Sequence, residues 1–241
     1  METVVVTRTP ITTTTPPQHQ PVRLKMTYPE FLEWAGEDQL AEWVPFVNSE
    51  YGEVITFMPP LDIHQTVLGF LYNLLGLFAR WLNLGKVQVA PFEVKLWPDS
   101  ASREPDLFFV ATEHLNRLTT KRFEGPPDLI IEIVSPDSVK RDRGDKFREY
   151  QKAGVREYWV IDPREGYQRA DFFYLDEAGD YHLFATEEDE RVDSYVLPGF
   201  WLKPAWLWQA DNLNPLALLF EIRGMPAEQI AQLLQWGMKN E

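Results

Sequence analysis

Acidic side chains stand at comparable places in two apolar stretches of this sequence. The segment GPPDLIIEIVSPDS carries Glu132 within the apolar run from Leu129 to Val134, and REPDLFFV carries Asp106 directly before another apolar run. Each stretch has the pattern of a buried strand, in which a carboxylate is costly unless it has a partner. If the two strands are adjacent, Asp106 and Glu132 approach each other and repel unless a cation lies between them.

Two carboxylates held in this way predict a divalent metal site. The chain contains no cysteine, and its four histidines show no metal-binding spacing. An oxygen-rich site suits Mg²⁺ or Mn²⁺, which can polarise a phosphodiester and activate water. Alternatives stay open, because Asp106 can be a cap at the start of a strand and Glu132 can pair with a buried Arg or Lys or lie at a wet edge. Asp128 is better explained as a strand-start cap than as a ligand.

A cationic side chain is expected beside the two acids. The segment DRGDKFREYQKAG, which follows the second acidic strand, predicts a short helix that ends at Gly154 and whose inward face carries Lys146. At the strand ends, an ammonium group can orient the attacking water or stabilise phosphate charge. The alternative is a solvated charged helix, which is left open for Lys146 and is favoured for Arg141, Arg143 and Lys152.

The elements that must position these residues follow from hydrophobic periodicity. The strand patterns, in chain order, are KVQVAPFEVKLW, DLFFVA, DLIIEIVS, EYWVID, ADFFYL and DYHLFA. The helix between the third and fourth makes a right-handed crossover joining two parallel strands, and the last two strands form a hairpin at an antiparallel edge. The longest helix pattern starts at Asp62, contains His64 in its first turn and is expected to end at Gly85. This order predicts an α/β fold, with a mixed central β-sheet flanked by helices.

The remaining segments predict smaller elements at both ends. MTYPEFLEWAG predicts a short helix capped by Thr27, and QLAEWVPFVNSEYGEVITFMPP predicts a hairpin. LPGFWLKPAWLWQ and an amphipathic helix, MPAEQIAQLLQWGMK, follow towards the C-terminus. We divide the chain into a flexible tail rich in Thr and Pro over residues 1–25, a domain over 26–208 and a C-terminal helical extension over 209–241.

Composition limits the class of protein. The chain has 241 residues, a formal charge of −14 and 44% hydrophobic residues, which suits one domain with a sizeable core. No apolar run approaches the ~18 residues of a membrane span, and the N-terminus lacks a signal-peptide pattern. The absence of cysteine fits a reducing cytoplasm. The acidic balance argues against a general nucleic-acid coat, but not against an enzyme that meets phosphates through a bound cation.

These segments together resemble a known family. The matching pieces, over roughly residues 26–208, are MTYPEFL, AEWV…GEVITFMPP, HQTVLGFLYNLL, VQVAPFEVKLWPDS, REPDLFFV, GPPDLIIEIVSPDS, RDRGDKFREYQKAGVREYWVIDP and LPGFWLKPAWLW. Their order resembles the Uma-type endonucleases of the restriction-endonuclease-like PD-(D/E)XK superfamily. The resemblance implies a metal-dependent nuclease site in which Asp106, Glu132 and Glu42 are metal ligands and catalytic residues. The segment EWVPFVNSEYGEV is longer than the corresponding turn in the family, which weakens the placement of Glu42.

The chain departs from the superfamily pattern at one position. Many members have a Lys two residues after the second acid, where this chain has Val134. The family supplies the missing ammonium from the following helix, which makes Lys146 the catalytic candidate. Lys95, with Glu93 on the same strand face, is a further candidate, although an exposed strand-face pair is the simpler interpretation. His64 is also a candidate, although a surface or capping role is simpler.

Two hypotheses follow. The first is a Mg²⁺- or Mn²⁺-dependent endonuclease that hydrolyses DNA and acts as a homodimer. The charge of −14 then implies either a small basic groove around Lys140–Lys152 and Lys121–Arg122 or weak, salt-sensitive binding. The second is a catalytically inactive nuclease fold that serves as a dimeric interaction or nucleic-acid-binding module, which an exposed FWLKPAWLWQ segment would favour. The presence of Asp106, Glu132 and Lys146 favours the enzyme.

Overall fold

The fold is that of a computed structural model of the chain. The structure describes residues 23–34, 41–56, 62–135, 138 and 141–238. Residues 1–22 of the predicted flexible tail and residues 239–241 of the predicted extension lie outside these ranges, whereas residues 23–25 belong to a strand. Within the described part of the chain, no helix has the length and apolar character that crossing a bilayer requires.

The secondary structure combines short strands with a few helices. The strands are β1 Arg23–Thr27, β2 Ala41–Pro45, β3 Tyr51–Thr56, β4 Gly85–Val89, β5 Glu93–Lys95, β6 Ser102–Arg103, β7 Leu107–Ala111, β8 Arg122–Glu124, β9 Leu129–Ile133, β10 Glu157–Asp162, β11 Arg169–Leu175, β12 Tyr181–Thr186, β13 Val192–Asp193 and β14 Trp201–Leu202. The α-helices are α1 Tyr28–Trp34, α2 Asp62–Trp81, α3 Phe147–Ala153, α4 Pro215–Ile222 and α5 Ala227–Met238. A π-helix, Arg141–Lys146, leads directly into α3, and 3₁₀ helices cover Thr112–Arg117 and Pro204–Asn212.

The centre of the fold is a six-stranded sheet in the order β12-β11-β10-β9-β7-β4. Strands β9 and β10 are parallel and are joined through the π-helix and α3, while the other neighbouring pairs are antiparallel. Strands β7, β9 and β10 are nearly continuous apolar runs, because both faces of the sheet are covered there. The predicted mixed sheet with flanking helices is confirmed.

One face of this sheet is covered by α2 and the C-terminal elements. Leu218 and Leu219 of α4 join the core on this face, so part of the predicted C-terminal extension packs on the domain. Phe200 and Trp206 are buried as well. The FWLKPAWLWQ segment therefore does not present the exposed patch that would favour an interaction module. The helix α2 contributes a stripe of buried side chains at helical spacing, which are Val67, Leu71, Leu74, Leu75 and Phe78.

The end of α2 differs from the prediction. The helix ends at Trp81, and Asn83 follows in the left-handed conformation with φ 53°, which Asn tolerates better than most residues. Gly85 is not the helix stop but the first residue of β4, where a Cβ atom would lie 2.0 Å from the carbonyl oxygen of Val110. Glycine is needed at this position because the two strands approach so closely.

The opposite face of the sheet is covered by α3 and by a small sheet in the order β6-β5-β8. Phe108, Tyr150 and Tyr158 are fully buried between these layers. The predicted strand KVQVAPFEVKLW is divided here into β4 and β5, which belong to different sheets. The prediction of one continuous strand is wrong, because Pro91 lies between the two parts and has no N–H to donate to a ladder.

An N-terminal layer consists of α1 and an antiparallel sheet in the order β1-β3-β2. The predicted hairpin is confirmed as β2 and β3. The predicted cap of α1 is also confirmed, because the N–H of Thr27 donates to the Glu30 carboxylate at 2.7 Å and the N–H of Glu30 donates to the Thr27 hydroxyl at 3.4 Å. Phe31 and Trp43 belong to the small core of this layer, which fixes β2 within it.

Candidate active site

Asp106 and Glu132 lie on adjacent strands, as predicted. Strands β7 and β9 are antiparallel, with Leu107 opposite Ile131, so the next residues along this register are Asp106 and Glu132. The Asp106 carboxylate accepts a hydrogen bond from the N–H of Ile133 at 2.7 Å. Strand pairing therefore brings the two acids to the same end of the sheet.

Both acids open on one cavity of about 280 Å³. The cavity contains the four predicted catalytic residues, and it lies where β7 begins and β9 ends. Its ionisable lining consists of Glu42, His64, Glu104, Asp106, Glu132, Arg141, Asp142 and Lys146.

Lys146 points inward, as predicted, and is only 3% exposed. Its Nζ atom lies 3.0 Å from Oε2 of Glu132, 3.3 Å from Oε1 of Glu42 and 3.4 Å from Oδ1 of Asp142. Burial opposes the charged form of Lys146, but these carboxylates outweigh burial and raise its pKa above the usual value. The ammonium is therefore the positive centre of the carboxylate cluster.

Glu42 reaches the cavity from β2 and is fixed by two cations. Arg103 donates to its Oε2 atom at 2.6 Å, while Lys146 lies beside Oε1. Burial alone would raise the pKa of Glu42, but Lys146 and Arg103 hold it at about 2. Arg103 also donates to Glu149 of α3 at 2.6 and 2.8 Å, so it ties the N-terminal layer to the crossover helix. The longer segment after AEWV does not remove Glu42 from the site.

Glu132 has a different electrostatic balance. Burial raises its pKa above the usual range, and the negative charges of Asp142 and Asp106 act in the same direction. Lys146 and the hydroxyl of Tyr150, which donates to Oε1 at 2.7 Å, oppose this shift. The predicted cationic partner of Glu132 is present, but it is shared with other acids.

Two lining acids, Glu104 and Asp142, were not singled out from the sequence. Glu104 stands two residues before Asp106, and its Oε2 atom is buried without a hydrogen-bond partner among the described residues. Burial, followed by the charge of Glu42, raises the pKa of Glu104 to about 8. Asp142 is 1% exposed and belongs to the π-helix. Glu104 could have been found from its position beside Pro105 and Asp106. Asp142 gave no such indication, because it stands in a highly charged segment that favours a solvated helix.

His64 lies in the cavity rather than at the surface. It is 6% exposed, and its Nε2 atom lies 3.3 Å from Oδ2 of Asp106. The interpretation of His64 as a surface residue is therefore wrong. The first turn of α2 faces the strand end, which brings this ring against the first acid.

Glu93 and Lys95 are buried near each other but do not line the cavity. They are 8% and 7% exposed, so the interpretation as an exposed strand-face pair is wrong. The Tyr28 hydroxyl donates to Glu93, and Lys95 donates to the carbonyl of Ser100 at 2.6 Å. The Lys95 ammonium lies 3.8 Å from the centre of the Tyr28 ring. Packing of the N-terminal layer on β5 covers this pair.

The remaining charged residues considered from the sequence differ in burial. Asp128 is buried at the start of β9 and accepts a hydrogen bond from the N–H of Ala111 at 2.7 Å, as expected of a strand-start cap. Arg141 and Arg143 are partly buried, with side chains 22% and 23% exposed, so they are not the fully solvated residues that the charge pattern favoured. Lys152 is exposed, in agreement with its interpretation. Lys140 of the predicted basic groove lies outside the described residues.

The donor chemistry of the cavity suits a hard divalent cation. Five of its eight ionisable side chains are carboxylates, and the buried Oε2 atom of Glu104 has no hydrogen-bond partner among the described residues. The charge of Lys146 does not outweigh the burial of Glu104. Over the described ranges, no three His, Asp or Glu side chains are already grouped so that they could hold a metal ion. The ammonium of Lys146 instead stands between Glu42, Glu132 and Asp142.

A comparison with protein families assigns the chain. A family model described as "Uma2: Putative restriction endonuclease" matches residues 28–205, which is more than half of the sequence. The chain belongs to the Uma2 family. The predicted resemblance is confirmed, and the matched range of this Uma2 protein contains every residue of the cavity lining.

A solved structure supports the fold of this Uma2 protein. The crystal structure of "a putative nuclease belonging to DUF820" from Anabaena variabilis ATCC 29413 has a TM-score of 0.61 and 17% sequence identity to this chain. The similarity covers 77% of this chain and 98% of that chain. The comparison with curated proteins gives no match.

Proposed function

We propose that this Uma2 protein is an endonuclease that hydrolyses phosphodiester bonds of DNA with Mg²⁺ or Mn²⁺. The observation that carries the proposal is the meeting of Asp106 and Glu132 at one cavity, with the Lys146 ammonium 3.0 Å from Glu132. The descriptions of the family and of the similar crystal structure both name nucleases, which supports the same reaction class.

The proposed mechanism gives each side chain a separate task. Asp106 and Glu132, with Glu42, would hold the cation, which would polarise the phosphodiester and lower the pKa of a bound water. Lys146 would orient the attacking water or stabilise the negative charge that develops on the phosphate. The N–H of Ile133 holds the Asp106 carboxylate in position.

Two neighbouring side chains keep the acids in place. The Tyr150 hydroxyl donates to Oε1 of Glu132, and Arg103 donates to Oε2 of Glu42. Because both contacts are buried, each carboxylate has restricted freedom before substrate binds. The positions of the acids are therefore set by the surrounding fold rather than by the substrate.

A cleavage assay tests the proposal. Plasmid DNA is incubated with the protein in Mn²⁺, in Mg²⁺ and in EDTA, beside the variants Asp106→Asn and Glu132→Gln. We expect cleavage only with a divalent cation, and a loss of at least about 100-fold in each variant, which corresponds to about 2.7 kcal/mol. Asp128→Asn, a buried acid of the same sheet outside the cavity, is the matched control and is expected to retain activity.

The contrary results are equally specific. Cleavage in EDTA would overturn the metal dependence, and metal-dependent cleavage that survives either cavity variant would overturn the site assignment. The proposal includes a homodimer, because two active sites are needed to cut both strands of a duplex at once. Light scattering on the purified protein measures the mass of the assembly, and a monomer at assay concentration would contradict the homodimer.

A further inference from the structure

Two guanidinium groups share one buried carboxylate next to the cavity. Asp171 of β11 is 1% exposed. Arg169 donates to its Oδ1 atom from Nε at 3.1 Å and from Nη2 at 3.0 Å, and Arg143 forms an ion pair with Oδ2 through Nη1. Two guanidinium groups therefore share a single carboxylate, while the charge of Glu187 also acts on Arg143. An oxyanion is the ligand that two neighbouring guanidinium groups favour.

The neighbouring charges do not satisfy every donor of Arg143. Burial lowers the pKa of Arg143, and the closeness of Arg169 lowers it further, while Asp162 and Glu187 oppose the shift. Asp162 is matched by Arg164, which donates to it at 2.7 and 2.8 Å. The Nη2 atom of Arg143 is buried and has no hydrogen-bond partner among the described residues. The Arg143 side chain as a whole is 23% exposed, so part of it can be reached by an oxyanion from solvent.

The arginine pair lies at the same end of the sheet as the cavity. Arg143 directly follows Asp142, which lines the cavity. Arg169 pairs with Asp162 at the end of β10, and the neighbouring parallel strand β9 places Glu132 beside Val160. The arginine pair is therefore a neighbour of the cavity along the chain and along the sheet, although neither arginine lines the cavity itself.

We propose that Arg143 and Arg169 form a subsite for a backbone phosphate that flanks the scissile phosphodiester of a bound nucleic-acid strand. The inference rests on the proposed function and names contacts of its substrate. Tyr167 favours a nucleic acid over a free anion, because the residue is 67% exposed and the centre of its ring lies 4.9 Å from the Arg164 guanidinium. Bases of a single strand stack on exposed rings of this kind.

Binding of a fluorescent DNA oligonucleotide in EDTA tests the subsite without cleavage. We expect Arg169→Gln to bind about tenfold more weakly than the wild type, and the slope of log affinity against log salt to fall by about one. Arg169 is the principal variant because its side chain is 58% exposed and Arg143 remains as a cationic partner of Asp171. Arg143→Gln is expected to weaken binding in the same direction.

Arg156→Gln is the matched control. Its side chain is 57% exposed, almost the same as that of Arg169, and lies 3.8 Å from the buried Asp128, away from the cavity. Both substitutions change the net charge of the protein by the same amount. We expect its affinity to stay within about twofold of the wild type. Equal weakening by Arg156→Gln and Arg169→Gln would show a general charge effect and overturn the subsite, as would an Arg169→Gln variant that binds like the wild type.

Calorimetry with inorganic phosphate distinguishes a nucleic-acid subsite from a small-anion site. Wild-type protein that binds phosphate but not the oligonucleotide would overturn the nucleic-acid assignment, and binding of neither would overturn the subsite. Oligonucleotide binding that depends on Arg169, without cleavage in Mn²⁺, would leave the subsite standing and overturn the proposed function. Cleavage in Mn²⁺ together with unchanged binding by Arg169→Gln would leave the proposed function standing and overturn the subsite.

Discussion

Two buried glutamates on neighbouring parallel strands have different kinds of partners. Glu157, in β10, is 0% exposed. Burial raises the pKa of Glu157, and hydrogen bonds from neutral donors oppose the shift. All of these partners are neutral groups of the fold. The donors, at 2.8 to 3.0 Å from the carboxylate, are Trp159 Nε1, Ser194 Oγ, Tyr195 N and Val196 N.

Glu132, in β9, is 2% exposed but faces charges instead of neutral donors alone. Its carboxylate lies beside the Lys146 ammonium, and the negative charges of Asp142 and Asp106 raise its pKa in addition to burial. A carboxylate surrounded by neutral donors stabilises one conformation of the chain. A carboxylate grouped with other acids around a cavity is repelled by them, and a bound cation would relieve this repulsion. This contrast separates a structural acid from a candidate catalytic one.

The largest expected effect on stability is at the structural acid. Glu157→Ala removes the acceptor of four donors, two of them in buried and two in partly buried contacts, and we expect a loss of about 4 kcal/mol in the free energy of unfolding. Urea unfolding followed by circular dichroism measures it. Glu157→Gln, which keeps one acceptor oxygen, is the control and is expected to lose less. A loss below about 1 kcal/mol in Glu157→Ala would contradict the structural role of Glu157 and, with it, the contrast with Glu132.

Removal of the shared cation is the next largest effect. Lys146→Met leaves Glu42, Glu132 and Asp142 facing one another without their ammonium, and we expect a loss of about 3 kcal/mol at about pH 8. Without Lys146 the acids bind protons more tightly when folded, so the loss should shrink as pH falls and they become protonated. Unfolding at about pH 5.5 and about pH 8 measures this, with Lys146→Arg as the charge-preserving control. A loss independent of pH would contradict the electrostatic explanation.

Glu104→Gln should have a smaller effect of opposite sign. The pKa of Glu104 is raised to about 8 in the folded protein, so its contribution to stability is present at low pH and is lost as pH rises through about 8. The glutamine variant does not incur this loss, and we expect it to be about 1–2 kcal/mol more stable in EDTA once the pH has passed about 8. Urea unfolding across the pH range measures the difference, which should vanish below about pH 4.5. A gain in stability that persists below about pH 4.5 would show that the substitution acts through packing and not through the ionisation of Glu104.

The strand pattern and the two central acids could be predicted from the sequence. Apolar runs located β7 and β9, and the position of Asp106 and Glu132 within them implied that the acids meet once the strands pair. The inward direction of Lys146 followed from helical spacing. These are local patterns, so a single segment carries enough information to infer them.

The wider surroundings of the acids could not be predicted, because they depend on contacts between distant segments. Arg103 meets Glu42 across 61 residues, and no local pattern relates the two. Burial of His64 depends on how α2 meets β7, and burial of Lys95 depends on Tyr28 in the N-terminal layer. Exposure of a charged residue in a short strand or helix is a property of tertiary packing, which periodicity does not contain.

Calorimetric titration with Mn²⁺, without DNA, tests the central claim most directly. Wild-type protein, Glu132→Gln and Glu157→Gln are compared at a temperature where circular dichroism shows all of them folded. We predict that the wild type and Glu157→Gln bind Mn²⁺ with similar affinity, and that Glu132→Gln binds at least about tenfold more weakly. Equal affinity of Glu132→Gln and the wild type, or no binding of Mn²⁺ by the wild type, would contradict a cation site at Glu132.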